Sequence, residues 1–334
     1  MKKISKLILL SMLLFVAACG TSEDSEGETN SSGDGNEELV IGITQIVEHP
    51  SLNRATQGFK DALNEAGLNV QFEEELAQGD NNNNQMIAQK FVGDEVDLIF
   101  ANSTPSAQSA LNETSEIPIV FTSVTDPVGA GLVESMEEPG GNVTGTADMH
   151  PETVPKTVQF IKDLGAETVG LIYNAGEQNS VAQIDNVTQL AEENGLETVE
   201  ATVSSSSEVK QAAESLVGKA DAILIITDNT VVSALETVIM VGHEEQIPVV
   251  VSEHDSVKRG GLAAFGFDYY DIGFEAGQKA IEILQDGQSP SDIPAEYPQN
   301  LKLMINTDAA EQMGVELTDE LKEQAELVTT ETDE

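Results

Sequence analysis

Residues 117–121 read IPIVF and residues 247–251 read IPVVV, the same kind of run 130 positions apart. Short, almost wholly apolar runs rich in β-branched residues are the signature of parallel strands covered on both faces. The repeat extends outward from them. AGLNV around Gly67 is matched by NGLET around Gly195, 128 positions on, and VDLIF from Val96 holds the same ordinal place as ADAILII from Ala220. Strand-like runs at 39–43, 70–72, 96–101 and 117–121 alternate with helix-period segments at 51–66, 82–92 and 105–114. The programme then restarts, with strands at 169–173, 197–202, 222–227 and 248–251 and helices at 179–193, 206–217 and 230–243. A third block, 260–288, runs into a helix over 272–284, and a last strand is expected at 301–305. Alternating strands and helices of this order predict an α/β protein of two doubly wound, Rossmann-like lobes with parallel sheets. Gly67 and Gly195 are placed to end helices, where positive φ costs glycine least.

In open α/β sheets ligands sit outside the carboxyl ends of the strands, so two facing lobes put the site in the cleft between them. The segments that follow the strands are QIVEHPS (45–51), NSTP (102–105), TSVTDP (122–127), NAGEQNS (174–180), TDNT (227–230) and SEHD (252–255). All are rich in short hydrogen-bonding side chains. Such residues also cap helices and form turns, but their recurrence at six comparable positions favours a binding surface. Ser103 and Thr104, followed by Pro105, place a hydroxyl pair at a helix start that favours a carboxylate. Asp228 is placed to meet a cationic amine, with Asp126, Glu253 and Asp255 as rival acids. His49 and His254 fall in the same cleft loops, whereas His243 belongs on a helix surface.

Catalytic and metal signatures are absent from the sequence. There is no G-x-S-x-G elbow, no G-x-x-x-x-G-K-[ST] loop and no H-E-x-x-H pair. The acidic and amide run at 79–84 lacks the glycine and glutamate of a calcium loop, and is expected to cap a helix. No enzyme activity, cofactor or metal is therefore expected. The 334 residues carry 15 Lys+Arg against 59 Asp+Glu, a formal charge of −44, which repels nucleic acid. The acidity suits a solvated surface in a salt-rich habitat.

The chain opens MKKISKLILLSMLLFVAACG. Three lysines, an apolar stretch from Leu7 to Ala18 and small residues before Cys19 form an export signal. The stretch is shorter than the about 20 residues needed to span a bilayer. Its ending resembles the lipobox of bacterial lipoproteins, which implies cleavage after residue 18, a diacylglyceryl and palmitate-bearing Cys19, and residence on the extracytoplasmic face of the cell membrane. Removal of residues 1–18 takes three lysines and no acids, giving −47. Cys19 is the only cysteine, so no intramolecular disulfide can form. Residues 19–38 contain almost nothing to bury and are expected to be a disordered acidic tether, with 329–334 as a frayed tail.

Six stretches carry a wider resemblance: IGITQIVEHPSLN (41–53), VDLIFANSTPSAQSA (96–110), FTSVTDPVGAGLV (121–133), PGGNVTGTADM (139–149), TDNTVVSALETV (227–238) and GFDYYDIGFEAG (266–277). Together they are similar to the tryptophan/tyrosine-type substrate-binding proteins of ABC transporters. That resemblance implies the type I periplasmic-binding-protein fold, with three hinge crossovers near 145–148, 266–268 and 294–298. The lobes would then be 39–146 plus 268–294 and 147–267 plus 295–328. It implies a monomeric receptor for a zwitterionic amino acid, aromatic in the type members, and a permease with its ATPase as partners. On this reading Ser103, Thr104, Thr122 and Ser123 meet the carboxylate, Asp228 the ammonium, and Asn179, Asn229 and Glu253 complete the second lobe. A sensor that passes occupancy to a membrane receptor, and a nucleoside-like ligand, are the alternative readings.

Overall fold

The computed structural model describes residues 38–331. The export signal, Cys19 and the acidic stretch up to residue 37 lie outside the described residues, as do 332–334. The first lobe contains β1 (Leu39–Gln45), α1 (Pro50–Glu65), β2 (Val70–Leu76), α2 (Asn81–Gly93), β3 (Leu98–Asn102), α3 (Thr104–Glu113), β4 (Ile119–Val124) and β5 (Val143–Ala147). The second contains α4 (Thr153–Asp163), β6 (Thr168–Asn174), α5 (Gln178–Glu193), β7 (Glu197–Val203), α6 (Val209–Leu216), β8 (Ala222–Ile225), α7 (Asn229–Val232), α8 (Leu235–Glu245), β9 (Val249–Val251), α9 (His254–Lys258) and β10 (Ala263–Gly266). Then follow α10 (Tyr269–Leu284), β11 (Lys302–Asn306), α11 (Thr307–Gln312), α12 (Asp319–Gln324) and β12 (Glu326–Val328).

Both lobes are α/β with parallel sheets. The first sheet runs β2-β1-β3-β4-β5 and the second β7-β6-β8-β9, parallel throughout. A β10-β11-β12 unit continues the second sheet through the Leu262 N–H, which donates to the Val249 carbonyl at 2.7 Å. The restart at residue 168 repeats the first lobe's strand order, including its helix ends. Gly67 and Gly195 stand at φ 73° and 75°. In each case the next residue's N–H reaches back five positions, Leu68 to Leu63 and Leu196 to Ala191, the bond of a Schellman motif.

The chain leaves one sheet for the other after β5, after β10 and before β11. The last passage lies beyond Glu296, two residues further than the expected boundary at 294. Ala295 donates to the Met136 carbonyl, and Glu296 pairs with Thr146 of β5, so both stay with the first lobe. Expectation and structure also differ at the C-terminus. Thr330 donates to Asp308 and accepts from Asn306, and Glu331 donates to the Lys258 carbonyl, so 329–331 are pinned. The expected helix over 230–243 is two helices, because the Ser233 hydroxyl takes the Thr230 carbonyl and Ala234 leaves helical geometry.

Although α10 follows β10 in sequence, it packs on α1 of the first lobe. Three glycines make that possible. A Cβ at Gly273 would stand 1.9 Å from the Ala55 carbonyl oxygen, and one at Gly58 2.1 Å from that of Tyr270. At Gly277 it would meet the Ala62 methyl at 2.6 Å. Beneath them Phe59 stacks on Phe100 with ring centroids 3.8 Å apart, both rings wholly buried. Each contributes about 1.5–3 kcal/mol by burial. Gly273→Ala must push two backbones apart and is expected to cost at least about 1–3 kcal/mol, read as a lower urea midpoint at unchanged m-value.

Candidate functional site

Parallel pairing delivers the ends of β1, β3, β4 and β5 to one edge of the first lobe and those of β6, β8 and β9 to one edge of the second. The two edges meet. Thr125, after β4, lies 3.2 Å from Thr227, after β8, hydroxyl to hydroxyl. Gln183 of α5 donates to both hydroxyls. Arg54 of α1 holds Asp268 at 2.6 Å and reaches Asp255 of the other lobe at 3.6 Å. His49, Leu52, Asp148, Val232, Glu253 and Tyr269 help enclose a cavity of only about 10 Å³ at this seam, room for one water. Entry of anything larger requires the lobes to part. An open groove of about 300 Å³ along β2 and α1 is larger, but its Gln45 already bonds Val47, Asn53 and Thr56, and its Lys60 pairs with Glu74.

Ser103 and Ser123 share a feature that the sequence does not advertise. Both are buried, and their φ angles are +103° and +55°, a region non-glycine residues seldom occupy. Such strain persists only where the surroundings impose it, and it clusters at ligand clamps. Ser103 occupies the N-cap position of α3 without making a side-chain capping bond. The helix start is therefore left with its unbonded N–H groups and positive dipole end. Thr104 Oγ1 and Ser123 Oγ are buried and have no hydrogen-bond partner among the described residues. Asn179 donates to the Thr227 carbonyl, and its Oδ1 is likewise buried without a partner.

Other expected site residues have structural duties. The Thr122 hydroxyl pairs with Thr146 of β5 at 2.9 Å. Asp126 stands outside the cavity and accepts from the Gly129 N–H of its own turn. Asp228 is buried, but its carboxylate already accepts from the Asn174 and Val231 N–H groups and the Ser180 hydroxyl, at 2.6–2.8 Å. It caps α7, ties it to β6 and also lines the seam cavity, so the expected amine would meet a carboxylate already bonded within its own lobe. Burial, with Glu177 close by, pushes it up to about 7. The Asn229 side chain donates to Glu177 at 2.6 Å. Asp255 is engaged by Arg54 and Lys258, and His254 meets the Lys302 carbonyl in the hinge groove.

Two acids remain for a cation. Glu253 is buried, accepts from Ser256 at 2.6 Å, and is raised by burial. Asp148, at the end of β5, receives the Tyr269 hydroxyl on Oδ2 at 2.9 Å, while Oδ1 is buried without a partner. Burial pushes Asp148 up to about 6, against the lowering effect of the Tyr269 and Thr125 hydroxyls. Sequence reading missed Asp148 because it missed β5: VTGTA has two aliphatic residues in five, yet all five are buried. Its place, the first residue after a strand, is the same signal that marked the other loops.

The comparisons with known proteins meet this geometry. The family model described as "ABC transporter substrate binding protein" matches residues 40–329. The chain belongs to this family. It is 43% identical to the tyrosine-binding protein of Clostridioides difficile over 94% of this chain and 93% of that one. Among solved structures, an ABC domain from Streptococcus pneumonia in complex with L-Trp superposes with a TM-score of 0.83 at 31% identity, covering 87% of this chain and 99% of that one. The ligand-free, open structure of a substrate-binding protein with adhesive properties from Clostridium difficile gives 0.65 at 40% identity, covering 88% and 100%. This substrate-binding protein thus superposes better on the complex than on the more identical ligand-free, open structure. The fold is the two-lobed one of periplasmic binding proteins, and the family's members bind substrates rather than transform them.

The Asp148 shift has a definite sign. Its folded-state value near 6 lies above the ordinary 3.8, so the associated stability is full below about pH 4 and is lost as pH rises through about 6, on the order of 3 kcal/mol. A bound cation reverses the burden by favouring the ionised form. Affinity for a cationic ligand is therefore expected to fall as pH drops through about 6, and Asp148→Asn to weaken binding at least about tenfold while removing that component of the pH profile, as read by calorimetry.

Proposed function

We propose that this protein is the extracytoplasmic receptor of an ABC importer, capturing an amino-acid zwitterion between its lobes and handing it to a permease. The observation that carries the reading is a set of buried, unpartnered oxygens at or just after the strand ends of both lobes: Thr104 Oγ1 in the first turn of α3, Ser123 Oγ in β4, Asn179 Oδ1 in α5 and Asp148 Oδ1, which lines the seam cavity. Hydroxyls and a helix N-terminus suit a carboxylate, and a desolvated carboxylate suits an ammonium. Buried polar groups left unpaired are costly, so a ligand that satisfies both sets selects the closed form. An aromatic side chain is favoured, because the names of two relatives refer to tyrosine and L-Trp, and because Leu52, Val232 and Tyr269 supply apolar walls. The closed shape is what a permease would read.

Cys19 belongs to the same proposal. A lipid on Cys19 would hold the receptor at the membrane, and the acidic segment behind it would let the body reach its permease. Among the described residues no helix is long and apolar enough to cross a membrane. Calorimetry of the purified protein is expected to show one L-tyrosine or L-tryptophan bound per chain; no binding of any proteinogenic amino acid would refute the ligand class. Cys19→Ala is expected to move the protein from the membrane fraction into the medium, and retention at the membrane would refute the anchor.

A further inference from the structure

His49 occupies the N-cap position of α1 but makes no capping bond, so its ring does no work for the helix it precedes. It is buried, 6% exposed, and lines the seam cavity together with Leu52 and Val232. Its Nδ1 has no hydrogen-bond partner among the described residues. The Asn229 side chain of the opposite lobe lines the same cavity. Asn229 has its amide orientation set for it: Glu177 only accepts, and Asn229 Nδ2 donates to it at 2.6 Å. A neutral imidazole carries one lone pair, and the buried, unpartnered Nδ1 is free to present it.

We propose that His49 Nδ1 reads the far end of the ligand side chain, so that the site selects an aromatic amino acid whose ring carries a hydrogen-bond donor, a phenol O–H or an indole N–H, over one whose ring carries none. The inference rests on the amino-acid reading above and deepens it. The charged ends of a zwitterion already have partners in Thr104, Ser123, Asp148 and Glu253. His49 is a neutral group flanked by apolar ones, which suits a neutral polar tip on a flat ring. Burial holds the imidazole down at about 3, so it offers a lone pair rather than a charge throughout the physiological range. Because Val232 and Asn229 of the second lobe complete the cavity wall around His49, the selection is made in the closed form.

The test is calorimetry with L-tyrosine, L-tryptophan and L-phenylalanine on the wild-type chain, His49→Phe and His49→Gln, each checked for an unchanged thermal transition. The wild type is expected to bind tyrosine and tryptophan at least about tenfold tighter than phenylalanine, since a buried acceptor left unpaired penalises the bare ring. His49→Phe is expected to lower tyrosine and tryptophan to the phenylalanine level while leaving phenylalanine within about threefold. His49→Gln, which keeps an acceptor oxygen, is expected to retain part of the preference. Equal wild-type affinity for all three, or an equal loss for all three in His49→Phe, would overturn the proposal while leaving the amino-acid reading in place. Failure of the wild type to bind any of the three would remove the parent reading, and this inference with it.

Discussion

Parallel strand pairing is the constraint on which everything else in this molecule rests. A parallel sheet must end all its strands on one edge, and each strand must be followed by a crossover helix on a face. Polar residues that the buried, apolar central strands cannot accommodate collect at that edge. Two such sheets in one chain therefore produce two polar rims, and three passages of the chain bring the rims into register. The site is a consequence of strand direction before it is a consequence of any particular side chain.

That arrangement creates an electrostatic conflict. Asp148, Glu253, Asp228 and Glu177 are all buried near one seam. The nearby cations Arg54 and Lys258 serve Asp255 and Asp268 instead. Glu177 and Asp228 resolve their share of the conflict internally, through seven donors from the Asn174–Ser180 and Asn229–Val231 segments. Asp148 does not, and burying a carboxylate without full compensation costs several kcal/mol. A cation is the natural remedy, so in the proposed receptor shutting the cleft and binding a ligand would be one event.

Much of this was legible in the residues. The doubling of the α/β programme, the helix-ending glycines and the polar strand ends all follow from periodicity and from the offset between IPIVF and IPVVV. The hydroxyls of Thr104 and Ser123 and the amide of Asn179 were likewise visible as residue types at strand ends. What escaped was whatever depends on partners distant in sequence. Asp228 looks like a free acid until the Asn174 N–H and Ser180 hydroxyl arrive from β6 and α5. Asp126 looks equivalent to it until its own turn claims it. β5 has a Thr- and Gly-rich sequence without strand-like hydropathy, because Thr146 meets Thr122 of β4 and the Ile272 carbonyl of α10, and Thr144 donates to the Ile293 carbonyl. The first helix of the second lobe, α4, was hidden by Pro155, which sits in its first turn where proline is tolerated.

The glycine contact between α1 and α10 bears on the ligand as well as on the fold. His49 immediately precedes α1, and Tyr269 is the first residue of α10. The near-touching backbones at Gly58 and Gly273 act as a gauge block, fixing how far the imidazole stands from the phenol that orients Asp148. Both groups belong to the first lobe, so any opening of the cleft would carry them together as a single jaw. The width of the ligand's slot is thus set one to three helical turns away from it, by side chains that are not there.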